Sequence, residues 1–164
     1  MLLFHARKVG VHNRYMDIFR VAFFGHKEID YILELERKLS PVLKGLMQEH
    51  PCEIEFYIGR NGEFDEITAS VIKRIRKESH TGDSRLILVL PYAVKNREYY
   101  ERYYDEIIIP DTTEKAHYKK AITLRNRWMV DVADLVIVNV EHRRGGAYAA
   151  MRYAQKQNKR IINL

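Results

Sequence analysis

Short, uniformly apolar runs alternate along this chain with longer stretches in which apolar residues recur every three or four positions. The first pattern reads as a buried strand and the second as a helix with one buried face. Residues 18–24 form the first strand, which ends at Gly25-His26. Ile29, Ile32, Leu35, Leu39, Val42, Leu43, Leu46 and Met47 then keep helical spacing. Asp30 stands where a negative charge favours a helix start, and Pro41 predicts a kink or a break. Pro51 closes the segment, and residues 52–58 place Ile54, Phe56 and Ile58 in strand alternation.

Gly59-Arg-Asn-Gly62 is a turn signal. Phe64, Ile67, Val71, Ile72 and Ile75 give the next helix, whose first turn carries Glu63, Asp65 and Glu66. A third strand at 85–90 ends at Pro91, the tyrosine-rich segment 99–104 reads as a short helix, and a fourth strand at 106–109 stops at Pro110. Helices at 117–132 and 147–157 enclose a fifth strand at 135–140, and residues 160–164 make a last strand. Uniformly apolar strands between helices imply a mostly parallel sheet covered on both faces. The expected fold is therefore α/β, a Rossmann-like three-layer α/β/α domain over residues 16–164.

The chain has 164 residues and a formal net charge of +6. Residues 1–15 hold Arg7, Lys8 and Arg14 and no acid, so half of that charge lies in a basic extension, either a flexible arm or an upstream start. The remainder is mildly basic, which weakens charge as an argument for nucleic acid. The apolar runs are too short to span a bilayer and the start lacks the order of a signal peptide, so a cytoplasmic location is expected. Cys52 is the sole cysteine, which excludes an internal disulfide and reads as a small residue opening a buried strand. HExxH, paired Cys/His and GxSxG motifs do not occur, so neither a metal nor a cofactor is expected.

In doubly wound sheets, ligands sit beyond the carboxyl ends of the strands. The residues there are Gly25-His26-Lys27 after the first strand, Gly59-Arg60-Asn61-Gly62 after the second, and Glu141-His142-Arg143-Arg144-Gly145-Gly146 after the fifth. Glycines permit close backbone approach, a helix start attracts an anion, and arginine grips phosphate. The same residues also serve plain turns and a solvated surface. Neither loop is GxGxxG or GxxxxGK[ST]. His26 is placed to bond a ribose or base, while Asp65 and Glu66 either meet ribose hydroxyls or stabilise a helix dipole. Arg125 either faces the crevice or lays its stem over the core. Trp128 and Met129 read as core, and the tyrosines as packing rather than a stacking platform.

Taken in order, Gly25-His26, Gly59 with Gly62 and Asp65, Arg125 and Met129 before Ala133-Asp134-Leu-Val-Ile-Val, Gly145-Gly146, Tyr153-Ala154 and the closing Lys159-Arg-Ile-Ile-Asn-Leu resemble the SLOG superfamily. That group holds the Rossmann-like Smf/DprA and LOG proteins, and the nearest resemblance is to its small YpsA-like bacterial branch. It covers about residues 18–164. The resemblance implies a nucleotide or nucleotide-derived ligand, a possible sensor role, and a homodimer. LOG enzymes release a base from a nucleoside monophosphate and carry an arginine and methionine before a PGGxGTxxE motif. Arg125 and Met129 match, but Arg144-Gly-Gly-Ala-Tyr-Ala-Ala-Met151 lacks the Gly-Thr and the glutamate. Chemistry at a ribose needs a carboxylate near C1′, for which Asp65 or Glu63 are the substitutes at hand.

The ligand residues expected are Gly25, His26, Gly59, Arg60, Asn61, Gly62, Asp65, Arg125, Gly145 and Gly146, with Asp65 and Glu63 as catalytic candidates. Recognition of a nucleotide is the leading reading. An N-glycosidase or deoxyribosyltransferase-like enzyme and single-stranded DNA binding like Smf/DprA are the alternatives.

Overall fold

The computed structural model describes residues 18–49, 53–79 and 83–164. The basic segment 1–15 and Cys52 lie outside the described residues. The first apolar run becomes strand β1, Ile18–Gly25, and successive elements are α1 (Ile32–Glu49), β2 (Glu53–Ile58), α2 (Glu63–Glu78), β3 (Ser84–Val89), α3 (Arg97–Tyr103) and β4 (Glu106–Ile108). A 3₁₀ turn at Asp111–Thr113 leads to α4 (Tyr118–Val132), β5 (Leu135–Asn139), α5 (Gly145–Lys156) and β6 (Arg160–Asn163). The six strands pair in parallel in the order β4-β3-β2-β1-β5-β6. This is the expected Rossmann-like α/β/α arrangement.

Because strand side chains alternate between faces, β1 serves two cores at once. Val21 and Phe23 point to the layer of α1 and α2, where Leu35, Leu39, Leu43, Phe64 and Ile72 are buried. Ala22 and Phe24 point to the layer of α4 and α5, with Met129, Val130, Ala147, Ala150 and Ala154. Small residues along α5 let it lie close against the sheet. Of the tyrosines in and just after α3, Tyr103 and Tyr104 pack against the first layer, while Tyr99 stays exposed.

Pro41 neither ends nor divides α1, which runs through it. The proline is exposed, so the carbonyl one turn earlier that loses its hydrogen bond faces the solvent side, where water can satisfy it. A polar ladder crosses β1 to β4 on the α4/α5 face. Glu55 is buried between Arg20 and Arg85, each at 3.3 Å, and accepts a hydrogen bond from Tyr57 Oη at 2.7 Å. Arg85 also pairs with Glu106. The alternation Ile54, Phe56, Ile58 describes one face of β2, and this ladder occupies the other.

Several residues of the closing segments hold the sheet together. The Arg20 amide donates to Asp134 Oδ2 at 2.8 Å, while the Asp134 amide donates back to the Arg20 carbonyl. Lys159 Nζ donates to the carbonyls of Asp131 and Ala133 at the end of α4, where a cation also favours the helix dipole. Asn163 bonds both the N–H and the carbonyl of Val140, fastening β6 beside β5.

Gly25 ends β1 directly against the ring of Phe64, and a Cβ there would collide with that ring. Gly25→Ala is expected to destabilise the fold by about 1–3 kcal/mol, the usual cost of overpacking a tight site. The readout is an earlier midpoint in urea at unchanged slope. A wild-type midpoint would mean that Phe64 moves aside freely.

Candidate functional site

β1 and β5 are neighbours, paired in register up to Gly25 beside Asn139, yet β1 continues to a helix on one face and β5 to a helix on the other. The chain parts there, and a cleft of about 390 Å³ opens at the carboxyl ends of β1, β2 and β5. Gly25, His26, Gly59, Asn61, Gly62, Asp65, Arg125, Gly145 and Gly146 all line it. Its apolar floor comes from Phe23, Phe24, Phe64 and Met129.

Two of the expected residues stand apart. Arg60 projects sideways, its Nη1 donating to Tyr100 Oη at 3.0 Å and its guanidinium lying 5.4 Å from that ring's centre. It borders a shallow depression beside the cleft with Lys27 and Glu66. Glu63 is occupied by the backbone, accepting a hydrogen bond from the Ile29 N–H at 2.7 Å. The Glu63 N–H in turn donates to the Lys27 carbonyl at 2.8 Å. A Cβ on Gly62 would stand 2.6 Å from Lys27 Cα. The loops after β1 and β2 thus interlock through their backbones, and Glu63 is a structural strut rather than a group facing the cleft.

Gly59 is another tight point of the cleft wall. A Cβ there would lie 2.8 Å from Arg125 Nη1 and 2.9 Å from Asp65 Oδ2. The glycine therefore leaves room for a guanidinium and a carboxyl to approach the end of β2 together. Asp65 reaches back from the first turn of α2 and accepts the Asn61 N–H at 2.9 Å. Burial pushes its carboxyl up to about 6, against the opposing pull of the Asn61 hydrogen bond and the Arg125 charge.

Arg125 is 4% exposed. Its Nη1 donates to the Val89 carbonyl at 2.6 Å and its Nε to Asn126 Oδ1 at 2.8 Å. Burial lowers its pKa from the ordinary arginine value while the Asp65 charge raises it, yet a guanidinium remains charged. Both options open from the sequence hold together: the stem is buried and the head lines the cleft.

Also lining the cleft, α5 starts at Gly145, which has φ +84°, a left-handed conformation that suits glycine. Gly145 and Gly146 belong to the first helical turn rather than to the loop before it, and Arg144 makes no side-chain cap. A Cβ on Gly145 would meet nothing within 4 Å, so the helix start borders open space. Arg143 and Arg144 are exposed and do not line the cleft.

Lys27, Glu28, Ile122, Asn126, Met129 and His142 also line the cleft. Their signal was partly present, since Ile122, Asn126 and Met129 continue the stripe of Arg125 at helical spacing. His142 and Lys27 stand in the strand-end segments already singled out, but which side chains of those loops turn inward depends on where the loops come to rest.

No protein-family model matches the chain, and no curated protein matches it. Solved structures do. DNA processing protein A (DprA) from Streptococcus pneumoniae is similar over 88% of this chain and 49% of its own, with a TM-score of 0.63 and 16% identity. DprA from Helicobacter pylori, solved to explain its single-stranded DNA binding mode, is similar over 87% of this chain and 63% of its own, with a TM-score of 0.57 and 16% identity. The chain shares the Rossmann-like α/β fold of these proteins. A third solved structure, TM1055, is similar over 87% of this chain and 72% of its own, at a TM-score of 0.51 and 14% identity. The chain spans about half the length of the pneumococcal DprA and under two thirds of the other. Among the described residues no helix is long and apolar enough to cross a membrane.

The raised carboxyl of Asp65 gives a signed prediction. A carboxyl whose pKa is higher folded than unfolded contributes stability that is complete below the unfolded value, near 4, and is lost as pH rises through the folded one, about 6. Asp65→Asn is therefore expected to stabilise the protein by on the order of 1–3 kcal/mol at about pH 8. The gain should shrink as pH falls from about 6 to about 4. Urea midpoints of both proteins across that range check it, and a gain independent of pH would contradict the buried carboxyl.

Proposed function

We propose that this chain recognises a nucleotide or nucleotide-derived small molecule in the cleft at the ends of β1, β2 and β5, as a binding or sensor protein of the SLOG type. The observation that carries the reading is Arg125. A buried guanidinium, held by a carbonyl and an amide and facing the cleft beside Gly59, is a preorganised positive charge that needs little ordering when an anion arrives. The start of α5, which has no side-chain cap, lines the same cleft and adds N–H donors for the same negative group. The apolar floor of Phe23, Phe24 and Met129 suits a flat base, and the volume falls in the range of small-molecule pockets. A homodimer of the YpsA-like kind belongs to this reading and rests on the resemblance.

Asp65 favours a second reading. A carboxyl near pKa 6 in a cleft keeps a protonated minority at neutral pH and a larger share in mild acid, so it can deliver the proton that departure of a base from a ribose requires. With Glu63 turned to the backbone, Asp65 is the remaining candidate of the two, so an N-glycosidase or deoxyribosyltransferase-like activity would fall to it. The single-stranded DNA binding of the Helicobacter pylori neighbour makes an oligonucleotide a further ligand worth including.

A thermal-shift panel of nucleoside mono-, di- and cyclic phosphates and a short single-stranded DNA is expected to stabilise the wild type. Arg125→Gln should weaken the response by about tenfold or more in apparent affinity, the effect of removing a charged hydrogen bond. No response across the panel would remove the nucleotide reading. Binding that falls steeply with added salt would favour the DNA strand over a mononucleotide. Free base released from a bound nucleotide, and abolished in Asp65→Asn, would establish the enzyme; binding without turnover would leave recognition.

A further inference from the structure

The carboxyl end of β5 is held to that of β1 by a pair of histidines. His26 follows Gly25, and His142 lies in the loop between β5 and α5. Their rings stack with centres 3.7 Å apart and planes 17° from parallel. His26 Nε2 accepts hydrogen bonds from two successive backbone N–H groups, Glu141 at 3.0 Å and His142 at 3.4 Å. These amides lie where β1 and β5 part company, beyond the last rung of the sheet. One ring nitrogen does the work of a missing strand.

That arrangement has one allowed protonation state. An accepting Nε2 must be bare, so the ring is the neutral tautomer with its proton on Nδ1. A proton on Nε2 would face two donors, replacing two attractions by two repulsions. The charged and titratable groups around the ring are Glu141, His142 and Arg144 on the β5–α5 loop, Lys27 and Glu28 in its own loop, and Asp65 and Arg125 across the cleft. His142 and Arg144 oppose a positive charge on His26, and Glu141 favours one.

We propose that His26 and His142 form a pH-dependent clasp that holds the β5–α5 loop against the cleft while His26 is neutral and releases it when His26 is protonated. Release frees the loop that leads into Gly145 and the first turn of α5, so the wall carrying the N–H donors moves with it. Burial and the neighbouring His142 lower the pKa of His26 below its ordinary 6.5. A histidine with a depressed folded pKa contributes stability above its unfolded value and loses it as pH falls through the folded one. The clasp is therefore closed at neutral pH and opens in mildly acidic solution. As regulation of ligand entry it rests on the function proposed above for this cleft. The clasp itself is measured without ligand, so a cleft that binds no nucleotide would leave the result standing.

The test is nitrogen-15 NMR of the full chain, following the Glu141 and His142 amides and the His26 ring from about pH 8 to about pH 5. Both amides are expected to shift in one step with the His26 ring, with a midpoint below the ordinary histidine value. Their protection against hydrogen exchange, corrected for the intrinsic pH dependence, should fall by about tenfold, the loss of a hydrogen bond. His26→Gln, which keeps an acceptor but does not titrate, should abolish the step, and His142→Ala should move its midpoint upward. Amides that ignore the His26 titration, or a step that persists unchanged in His26→Gln, would overturn the proposal. The wild-type titration decides the matter by itself if either variant fails to fold.

Discussion

The parallel pairing of β1 with β5 runs from Val21 beside Leu135 to Gly25 beside Asn139 and then stops, because the two chains leave for helices on opposite faces. Neighbouring parallel strands cannot be joined by a short turn, so each must exit into its own helix. Where one exits upward and the other downward, the sheet end is left uncovered and its backbone groups have no ladder to continue. Cleft, histidine pair and free helix start all follow from that divergence. His26 supplies acceptors for two of the stranded amides, and α5 begins beside them with its own N–H groups open.

The charges around the cleft are arranged by distance and burial rather than by number. Half of the net positive charge lies in the first fifteen residues, and the exposed Arg143 and Arg144 do not line the cleft. The charge that matters is Arg125, enclosed by Val89, Asn126 and the missing side chain of Gly59. Asp65 stands close to the same glycine without closing the guanidinium into a tight ion pair. A surface arginine is screened by water and salt. A buried one in a small cleft is not, which is why the ligand proposed for it is an anion.

The residues that carry the family resemblance divide into two kinds. Gly25, His26, Gly59, Gly62, Asp65, Arg125, Met129, Gly145 and Gly146 come together around the cleft. Asp134 and Lys159 instead bind backbone atoms of β1 and α4, and Tyr153 donates to Asp131. A resemblance spread over both kinds reports the architecture at least as strongly as the ligand, which agrees with solved structures that share the fold at 14–16% identity.

The sequence by itself determined the element order, because hydrophobic period is a local property: two-residue alternation and three-to-four-residue spacing state which backbone conformation buries the apolar side chains. It also determined that glycines and basic residues follow the strands, and so where a crevice would form. Only the tertiary structure decided which of those residues face one another. Glu63 and Asp65 are two residues apart in one helical turn, yet one is taken by the Ile29 N–H and the other enters the cleft. Arg60 and Arg125 are both candidates by type, yet one pairs with Tyr100 and the other is buried beside Gly59. The stack of His26 on His142 joins residues more than a hundred positions apart. Such pairings depend on where separate loops come to rest over the sheet, a property of packing between elements that no local pattern of residues encodes.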